Sequence, residues 1–453
     1  MGSFVGLYTG LSGIQAAQAG LDTTSHNVAN ANTPGYTRQR VELAARQGYG
    51  SAVGWIGTGV DVEQIARLRD QFLDDRHRVA SGDQAFHTVR AETMASLESL
   101  SGEPDQGISA RLAGLWEAAE TWANDPADGS TRRQVLTELS SISEAVRTTA
   151  GSWDRLEEDL TARQDTVVDR VNATLTSIDD YNRRIANATP GRIGPDVYDQ
   201  RDLLLDELAE LTGAVVRIDE TGRATATVGE VDLLSPDGPS TVAVDGDEVT
   251  VTTADGATTS QVTASLRGEL GGLHQVLVDD IPEWRTALDG FTGSFATTIN
   301  DVNTSGYLAG TSDQGEPLLA FDPDDPAGSI GLADGITPDH LASATEENAP
   351  IHDESNARIF ADLRTTSGLE GQLADVVVGL AGEVRSSADA AKAARGVASG
   401  AKHARAAEHG VSMDEEMVSL VRHQRALEAS ARVMTTVDQA LDTLVNRVGF
   451  VGR

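Results

Sequence analysis

Both ends of this chain carry the same periodic text, and that text limits what the chain can fold into. Near the N-terminus, stepping by alternating threes and fours picks Phe4, Leu7, Leu11, Ile14, Gln18, Leu21, Ser25 and Val28. Near the C-terminus the same stepping picks Met413, Met417, Leu420, Gln424, Leu427, Ala431, Met434, Asp438, Leu441, Val445 and Val448. Both are heptad seams of the coiled-coil kind. Each is narrow and interrupted by polar residues, so neither helix hides its seam alone. At about 1.5 Å per residue the first helix spans roughly 40 Å and the second roughly 55 Å. The two ends are therefore expected to pair. Gln424 and Asp438 on the second seam either face its rim or fix register; the sequence leaves both open.

Local chemistry sets the limits of these helices. Asn30 and Asn32 tolerate left-handed backbone at a helix end, and Pro34-Gly35 favours a tight turn. The stretch through Gly48, Gly50, Gly54, Gly57 and Gly59 reads as loop or extended chain. Ser412 with Glu415 three residues on reads as a capping box for the last helix.

Residues 61–212 read as mostly helical. The strongest element runs from about Ser130 to Asn187, with a seam of Leu139, Ile142, Val146, Thr149, Trp153, Leu156, Leu160, Arg163 and Val167. The seam then shifts to Val171, Leu175, Ile178 and Ile185. A helix this long in a soluble protein packs in an elongated bundle. Another, Arg201 to Leu211, stops at Thr212-Gly213. Short β-prone runs separated by SPDGP, DGD and ADG follow from residue 214. Helix returns at about 272–304 and again at 355–405, across a Gly-, Asp- and Pro-rich segment at 305–350. The expected fold is mainly α with a β insertion: an elongated helical bundle closed by paired N- and C-terminal coiled-coil helices, plus a small β domain. The expected division is 1–60 (axial helix and loop, pairing with 406–453), 61–213 (helical rod, first part), 214–265 (small β domain), 266–405 (second part of the rod, irregular at 305–350) and 406–453 (C-terminal axial helix).

Composition narrows the function. The formal net charge is −35, and Lys392 and Lys402 are the only lysines. A surface this acidic repels phosphate backbones and anionic lipid, so neither nucleic acid nor membrane is an expected partner. With no cysteine, disulfides, thiolate metal sites and a cysteine nucleophile are excluded. No run of 18 apolar residues occurs, and the N-terminus lacks the basic and apolar regions of a conventional signal peptide. There is no phosphate loop, no Gly-x-Ser-x-Gly elbow and no His-Glu-x-x-His. The Asp322-Pro-Asp324-Asp325-Pro326 run lacks the glycine and glutamate of a calcium loop, with Ala327 and Ala333 in their places. The sequence predicts no enzyme, no cofactor and no metal.

The terminal text is specific. Leu11-Ser-Gly-Ile-Gln-Ala-Ala-Gln-Ala-Gly-Leu21 leads into Ser25-His-Asn27-Val28-Ala-Asn30-Ala-Asn-Thr-Pro-Gly35-Tyr36-Thr-Arg-Gln-Arg40. This closely resembles the signature of flagellar rod, hook and hook-associated proteins. The stretch from Glu415 to Asn446 is similar to the partner signature. The Tyr198-Asp-Gln-Arg201-Asp-Leu-Leu-Leu-Asp-Glu-Leu segment, the long helical middle and the absence of a Thr-Gly-Phe ending resemble the hook-associated members of this axial family. The resemblance implies a structural subunit of the bacterial flagellum at the junction of hook and filament. It implies extracellular localisation after export through the flagellar type III apparatus without a cleaved signal peptide, help from an export chaperone, and termini that fold on assembly. The implied partners are identical subunits of one axial layer, hook protein and hook-associated protein 3. Other readings are hook-associated protein 3 itself, a rod component, or a surface-exposed adhesive module using the β domain. The assembly interface expected from the seams and signature is Leu7, Leu11, Ile14, Leu21, Val28, Asn27, Asn30, Gly35, Tyr36, Leu420, Gln424, Leu427, Met434, Asp438, Leu441 and Val445.

Overall fold

The computed structural model describes residues 2–51, 54–103, 107–188, 193–443 and 445. The chain begins with α1 (Gly2–Asn30) and a hairpin made by β1 (Gln39–Ala45) and β4 (Val60–Arg67), extended by β2 (Tyr49–Ser51) and β3 (Gly54–Ile56). The stretch read as loop or extended chain is thus an antiparallel ribbon, and strand continues to Arg67, into the part read as helical. Val41 lies opposite Ile65 and Leu43 opposite Val62, which puts apolar side chains on one face of the ribbon. A register shift between Glu42 and Leu43 accommodates one extra residue.

The body starts with α2 (Gln71–Ser101), α3 (Ile108–Asn124), α4 (Gly129–Ala186) and α5 (Pro195–Thr212). Asp128 caps α4 by accepting the Ser130 N–H at 2.8 Å. The 58 residues of α4 make a rod of roughly 87 Å. Its buried stripe contains Leu139, Ile142, Val146, Thr149, Trp153, Leu160, Val167, Val171, Leu175, Ile178 and Ile185. Arg163 departs from the sequence seam: it points outward to Glu269 at 2.6 Å, and Gln164 turns inward instead. A straight helix of 3.6 residues per turn drifts off a 3.5-residue repeat, so a long seam must slip once.

Gly213 closes α5 in a left-handed conformation (φ 71°), where a side chain would strain the backbone and collide with Arg267. Two small antiparallel sheets follow. The first is a meander of β5 (Val215–Ile218), β6 (Ala224–Val228), β7 (Val231–Ser235) and β8 (Gly238–Pro239). The second contains β9 (Thr241–Asp245), β10 (Glu248–Thr252) and β11 (Thr259–Gln261). Helix resumes with α6 (Gly268–Gln275) and α7 (Ile281–Ser305), joined by a π turn at Val276–Asp280. The irregular segment holds β12 (Leu319–Ala320), α8 (Pro326–Ser329) and β13 (Gly331–Leu332). Last come α9 (Ser355–Thr366), α10 (Leu369–His409) and α11 (Met413–Asp442).

One apolar core runs through the body from Val89 to Leu380 and includes both sheets. Trp116, Trp122 and Trp153 are buried in it, and the Trp153 indole donates to the Leu97 carbonyl at 3.1 Å. Helix asparagines hang the extended segments on this core. Asn172 of α4 donates to the Val242 carbonyl and accepts the Val242 N–H, both at 2.9 Å. Asn182 does the same to Ala224, at 2.8 and 2.9 Å. On α7, Asn300 grips the backbone of Leu318 and Leu319, and Asn303 that of Glu316, His340 and Ala342. A primary amide carries the donor and acceptor of a peptide group, so each asparagine replaces a neighbouring strand. Buried backbone groups that have no strand beside them are satisfied this way.

Candidate assembly site

Both chain ends meet in one antiparallel pair, α1 against α11. The line of closest approach matches Gly6 with Val437, Gly10 with Met434, Gly13 with Ser430 and Gly20 with His423. A Cβ on Gly10 would lie 2.7 Å from Met434 Cγ, and one on Gly20 would lie 2.8 Å from His423 Cγ. Bare glycine backbone lets the helices approach more closely than any side chain would permit. Dispersion between the two backbones then replaces much of the missing apolar burial.

This corrects the seam read from the sequence. The inward line of α1 runs through Gly6, Gly10, Gly13, Ala17, Gly20, Thr24 and Asn27, one residue ahead of the predicted positions. On α11, Leu420, Leu427, Met434 and Leu441 are half-buried as the seam requires, but the alternate positions shift. Glu416, His423, Ser430 and Val437 face inward, whereas Met417, Gln424, Ala431 and Asp438 are exposed. Periodicity weighs large apolar side chains, so it points to the flank of a stripe whose centre is glycine. Leu7, Ile14, Leu21 and Val28 flank that stripe and are half-buried; Leu11 is exposed. Val445 is exposed, while Val448 and the Phe4 side chain lie outside the described residues.

The other side of α1 receives the ribbon. Ser12 accepts the Val60 N–H at 3.2 Å, and Gly59 sits so close that a Cβ there would meet Ser12 and Thr9.

A polar clasp closes the pair at its inner end. Asn27 is buried, and all its hydrogen-bonding capacity is used. Its amide nitrogen donates to the Gln39 carbonyl at 2.9 Å and to Glu416 Oε2 at 3.0 Å. Its oxygen accepts the Gln39 N–H at 2.9 Å and the Tyr36 hydroxyl at 2.7 Å. Glu416 is only 2% exposed, and Arg38 Nε donates to its other oxygen at 2.7 Å. A buried carboxylate without partners is costly, so this pair fixes how α11 leaves the body. Burial first, then the charges of Asp196, Asp199 and Glu416, push the Tyr36 phenol well above its usual range. It therefore stays a donor. With its hydrogen on Asn27, Tyr36 accepts from His26 Nδ1 at 3.0 Å. Gly35 takes the left-handed turn at φ 77°, and Asn30 binds back to the His26 carbonyl at 3.0 Å. The expected capping box is absent: Ser412 makes no side-chain cap bond, and Glu415 instead pairs with Arg38 at 2.6 Å.

A second set of charges joins this unit to the body. Arg67 of β4 reaches Asp199 at 2.9 Å and Asp202 at 2.7 Å on α5. Arg69 pairs with Asp74 and Asp202, and Arg201 lies against Asp202. Arg78 and Arg405 share Asp206, at 2.8 and 2.6 Å. His409 Nε2 accepts the Asp70 N–H at 2.7 Å. Burial, then the positive charges of Arg67, Arg69 and Arg78, pulls the Arg201 guanidinium down to about 9, which leaves it charged at neutral pH. Burial also holds His409 below the usual imidazole range. In the sequence the Tyr198–Leu208 segment stands out only by its resemblance to the family. Its charged residues at Asp199, Arg201 and Asp202 are the anchor of the joint. The available signal was their spacing, which puts Asp199, Asp202 and Asp206 on one helix face.

In the acidic run from Asp322 the carboxylates of Asp322 and Asp325 have structural partners. Asp322 caps the Asp324 N–H at 3.0 Å, and Asp325 accepts from Gly328 and pairs with Arg285, both at 3.1 Å. Among the described residues, no group of three or more His, Asp or Glu side chains is arranged to hold a metal ion. Nor is any described helix long and apolar enough to cross a membrane.

Comparison with known proteins gives these features a family. Residues 7–37 match the family "Flagella basal body rod protein", and residues 408–447 match "Flagellar basal body rod FlgEFG protein C-terminal". These two matches cover the terminal pair and define the class, that of flagellar axial proteins. Residues 94–319 match "Flagellar hook-associated protein FlgK helical domain". The chain is 29% identical to flagellar hook-associated protein 1 of Bacillus subtilis over 100% of its own length and 99% of that relative. Against flagellar hook-associated protein 1 of Salmonella typhimurium it is 28% identical over 66% of its length, which spans 56% of the relative. The flagellar hook junction protein FlgK from Burkholderia pseudomallei has a similar fold, with a TM-score of 0.64 at 13% identity, covering 74% of this chain and 99% of that one. The chain belongs to the flagellar hook-associated protein 1 family.

Proposed function

We propose that this chain is a structural subunit of the junction between hook and filament, exported by the flagellar type III apparatus and assembled through its terminal helix pair. The observation that carries the reading is the exposed outer side of that pair. Its glycine-lined inner side is filled within the chain. Its outer side presents Tyr8 and Leu11 on α1, and Met413, Met417, Val418, Val421 and Val433 on α11. Apolar side chains gathered on one helical unit of an acidic protein favour burial against neighbours. The neighbours in this reading are identical subunits, hook protein and hook-associated protein 3, with an export chaperone before assembly. Leu7, Ile14, Leu21, Leu420, Leu427, Met434 and Leu441 then keep the pair in shape rather than meet a neighbour directly. In this reading the expected division moves its bounds: the terminal unit runs to Arg67 and resumes at Met413, rather than 1–60 and 406–453, around a body whose β part spans 214–265.

The test is a chain ending at Gly410, which keeps the whole apolar core. It should fold its body yet fail to enter the hook tip, leaving hooks that no longer accept hook-associated protein 3. Normal junctions built from the truncated chain refute the proposal. Hooks that still accept hook-associated protein 3 without this protein would point to a different axial position.

A further inference from the structure

Helix α10 carries a charge pattern unlike the rest of this acidic chain. Residues 385–402 hold Arg385, Lys392, Arg395 and Lys402 against one carboxylate, Asp389, and they include both lysines of the chain. All four cations are exposed. Steps of seven, three and seven residues keep them on one side of the helix, along roughly 26 Å of its length. Among the described residues, none of the four is within ion-pair reach of a carboxylate. Other arginines of the body do find one: Arg90 reaches Asp280 at 2.7 Å and Glu383 at 2.6 Å.

The complementary pattern lies on α4. Glu157, Glu158, Asp165 and Asp169 are exposed. They fall within about a third of the helix circumference and extend along roughly 18 Å. They too have no ion-pair partner among the described residues. The arginines of this stretch are turned elsewhere: Arg163 to Glu269 and Arg170 to Glu207, both at 2.6 Å, and Arg155 to the Gly151 carbonyl at 2.9 Å. Arg163 also borders the groove that Arg395 and Lys402 line. The acidic side of α4 therefore faces away from the basic side of α10, and the two do not meet within one chain.

Unpaired charges of one sign on a rigid helix cost nothing while water solvates them. They gain when a surface of the opposite sign arrives, and they set its register and exclude surfaces of their own sign. The chain supplies such a surface itself: four free carboxylates on one straight helix against four free cations on another. A contact between unlike surfaces of identical chains is head to tail, and it closes into a ring where the rotation allows. Each exposed ion pair contributes little, but every subunit of a ring uses both of its faces.

We propose that the basic side of α10 docks on the acidic side of α4 of a second copy of this chain. This docking rests on the reading of the chain as a subunit of an axial layer, and it adds the body surface by which one subunit recognises the next. It involves the body alone and does not depend on whether the terminal helices are folded.

The chain has no cysteine, so introduced ones report contacts without background. One full-length chain carries Ser399→Cys, between Arg395 and Lys402, and a second carries Ala388→Cys, nearer the other end of the basic side. A third carries Thr161→Cys, between Glu158 and Asp165. All three positions are exposed. Either α10 chain is mixed with an equal amount of the α4 chain under reversible thiol exchange with glutathione. At low salt the α10–α4 heterodimer should exceed, several-fold relative to the homodimers, the share that random exchange gives. In 1 M sodium chloride, where the screening length is about 3 Å, the excess should vanish. Lys392→Glu with Arg395→Glu should abolish it at low salt, and Glu158→Lys with Asp165→Lys in the α4 chain should restore it. Random proportions at low salt for both α10 positions overturn the inference, and so does an excess that survives 1 M salt. The salt arm needs no charge substitution, so a poorly folded variant does not leave the question open. The trap uses free chains, whereas truncation at Gly410 is read in the flagellum. A random trap beside a truncation that behaves as expected removes this contact and leaves the junction reading in place.

Discussion

Replacing Asn27 by alanine should release the terminal helices from each other while the body stays folded. The change removes a side chain that makes all four of the bonds described above. Three groups then lose a partner where water enters poorly: the Gln39 N–H, the Gln39 carbonyl and Glu416 Oε2. Each buried polar group left without a partner costs about 1–3 kcal/mol. The sum, roughly 3–9 kcal/mol, is comparable to the whole stability of a small unit with little apolar core. Hydrogen exchange read by mass spectrometry on the assembled subunit separates the parts: peptides from α1 and α11 should lose protection, and peptides from α3 and α4 should not. Asn27→Asp sharpens the test. It keeps the acceptor for Tyr36 and for the Gln39 N–H, but it sets a second carboxylate against Glu416, where the amide nitrogen now stands 3.0 Å away. Two buried carboxylates at that distance do not both ionise comfortably, so one has its pKa raised. A raised carboxylate pKa means that the folded form binds a proton more readily, so the penalty is largest at neutral pH and eases on acidification. Unaltered protection of α1 and α11 in Asn27→Ala, or an Asn27→Asp defect that deepens toward acid, refutes the clasp as argued.

Other perturbations probe different links. Gly20→Ala should lower protection of α1 and α11, although alanine is worth about 1 kcal/mol more than glycine in a helix; the new Cβ strikes the His423 ring. Gly290→Ala, at an exposed α7 position with open space around it, should raise the melting temperature instead. Opposite signs in thermal melts are the expected outcome. Asn182→Ala leaves the Ala224 N–H and carbonyl unpaired and should cost about 2–6 kcal/mol, read as faster exchange in β5 and β6. Burial depresses the pKa of His77, His274, His409 and His423. The unfolded chain then binds more protons than the folded one as pH falls below about 6.5, so stability is full above that value and declines beneath it. Melting temperatures measured from pH 8 to pH 5 should drop through the lower half, and His409→Gln should flatten part of that slope.

Most of the secondary structure follows from local sequence. A 3.5-residue apolar repeat sustained from Leu139 to Val167 admits little except a long helix, and Gly213 or Pro34-Gly35 can end one with no help from distant residues. The short β-prone runs between DGD and ADG turns were equally local, because turn chemistry acts within four residues. The terminal pairing was legible as a need, since a narrow seam cannot stay exposed. Tertiary structure alone decided which line fills that need. Glycine has no side chain and so leaves no mark in an apolar count, yet the absence of Cβ at Gly10 and Gly20 matters only once a second backbone arrives. The same holds for Asn27, Asn172 and Asn182, whose amides gain meaning from a strand edge far along the chain. Asp199, Arg201 and Asp202 look like an ordinary charged helix face until Arg67 and Arg69 are folded over them. Periodicity is a property of one segment. Close approach and charge pairing are properties of two, and the chain acquires them only by folding.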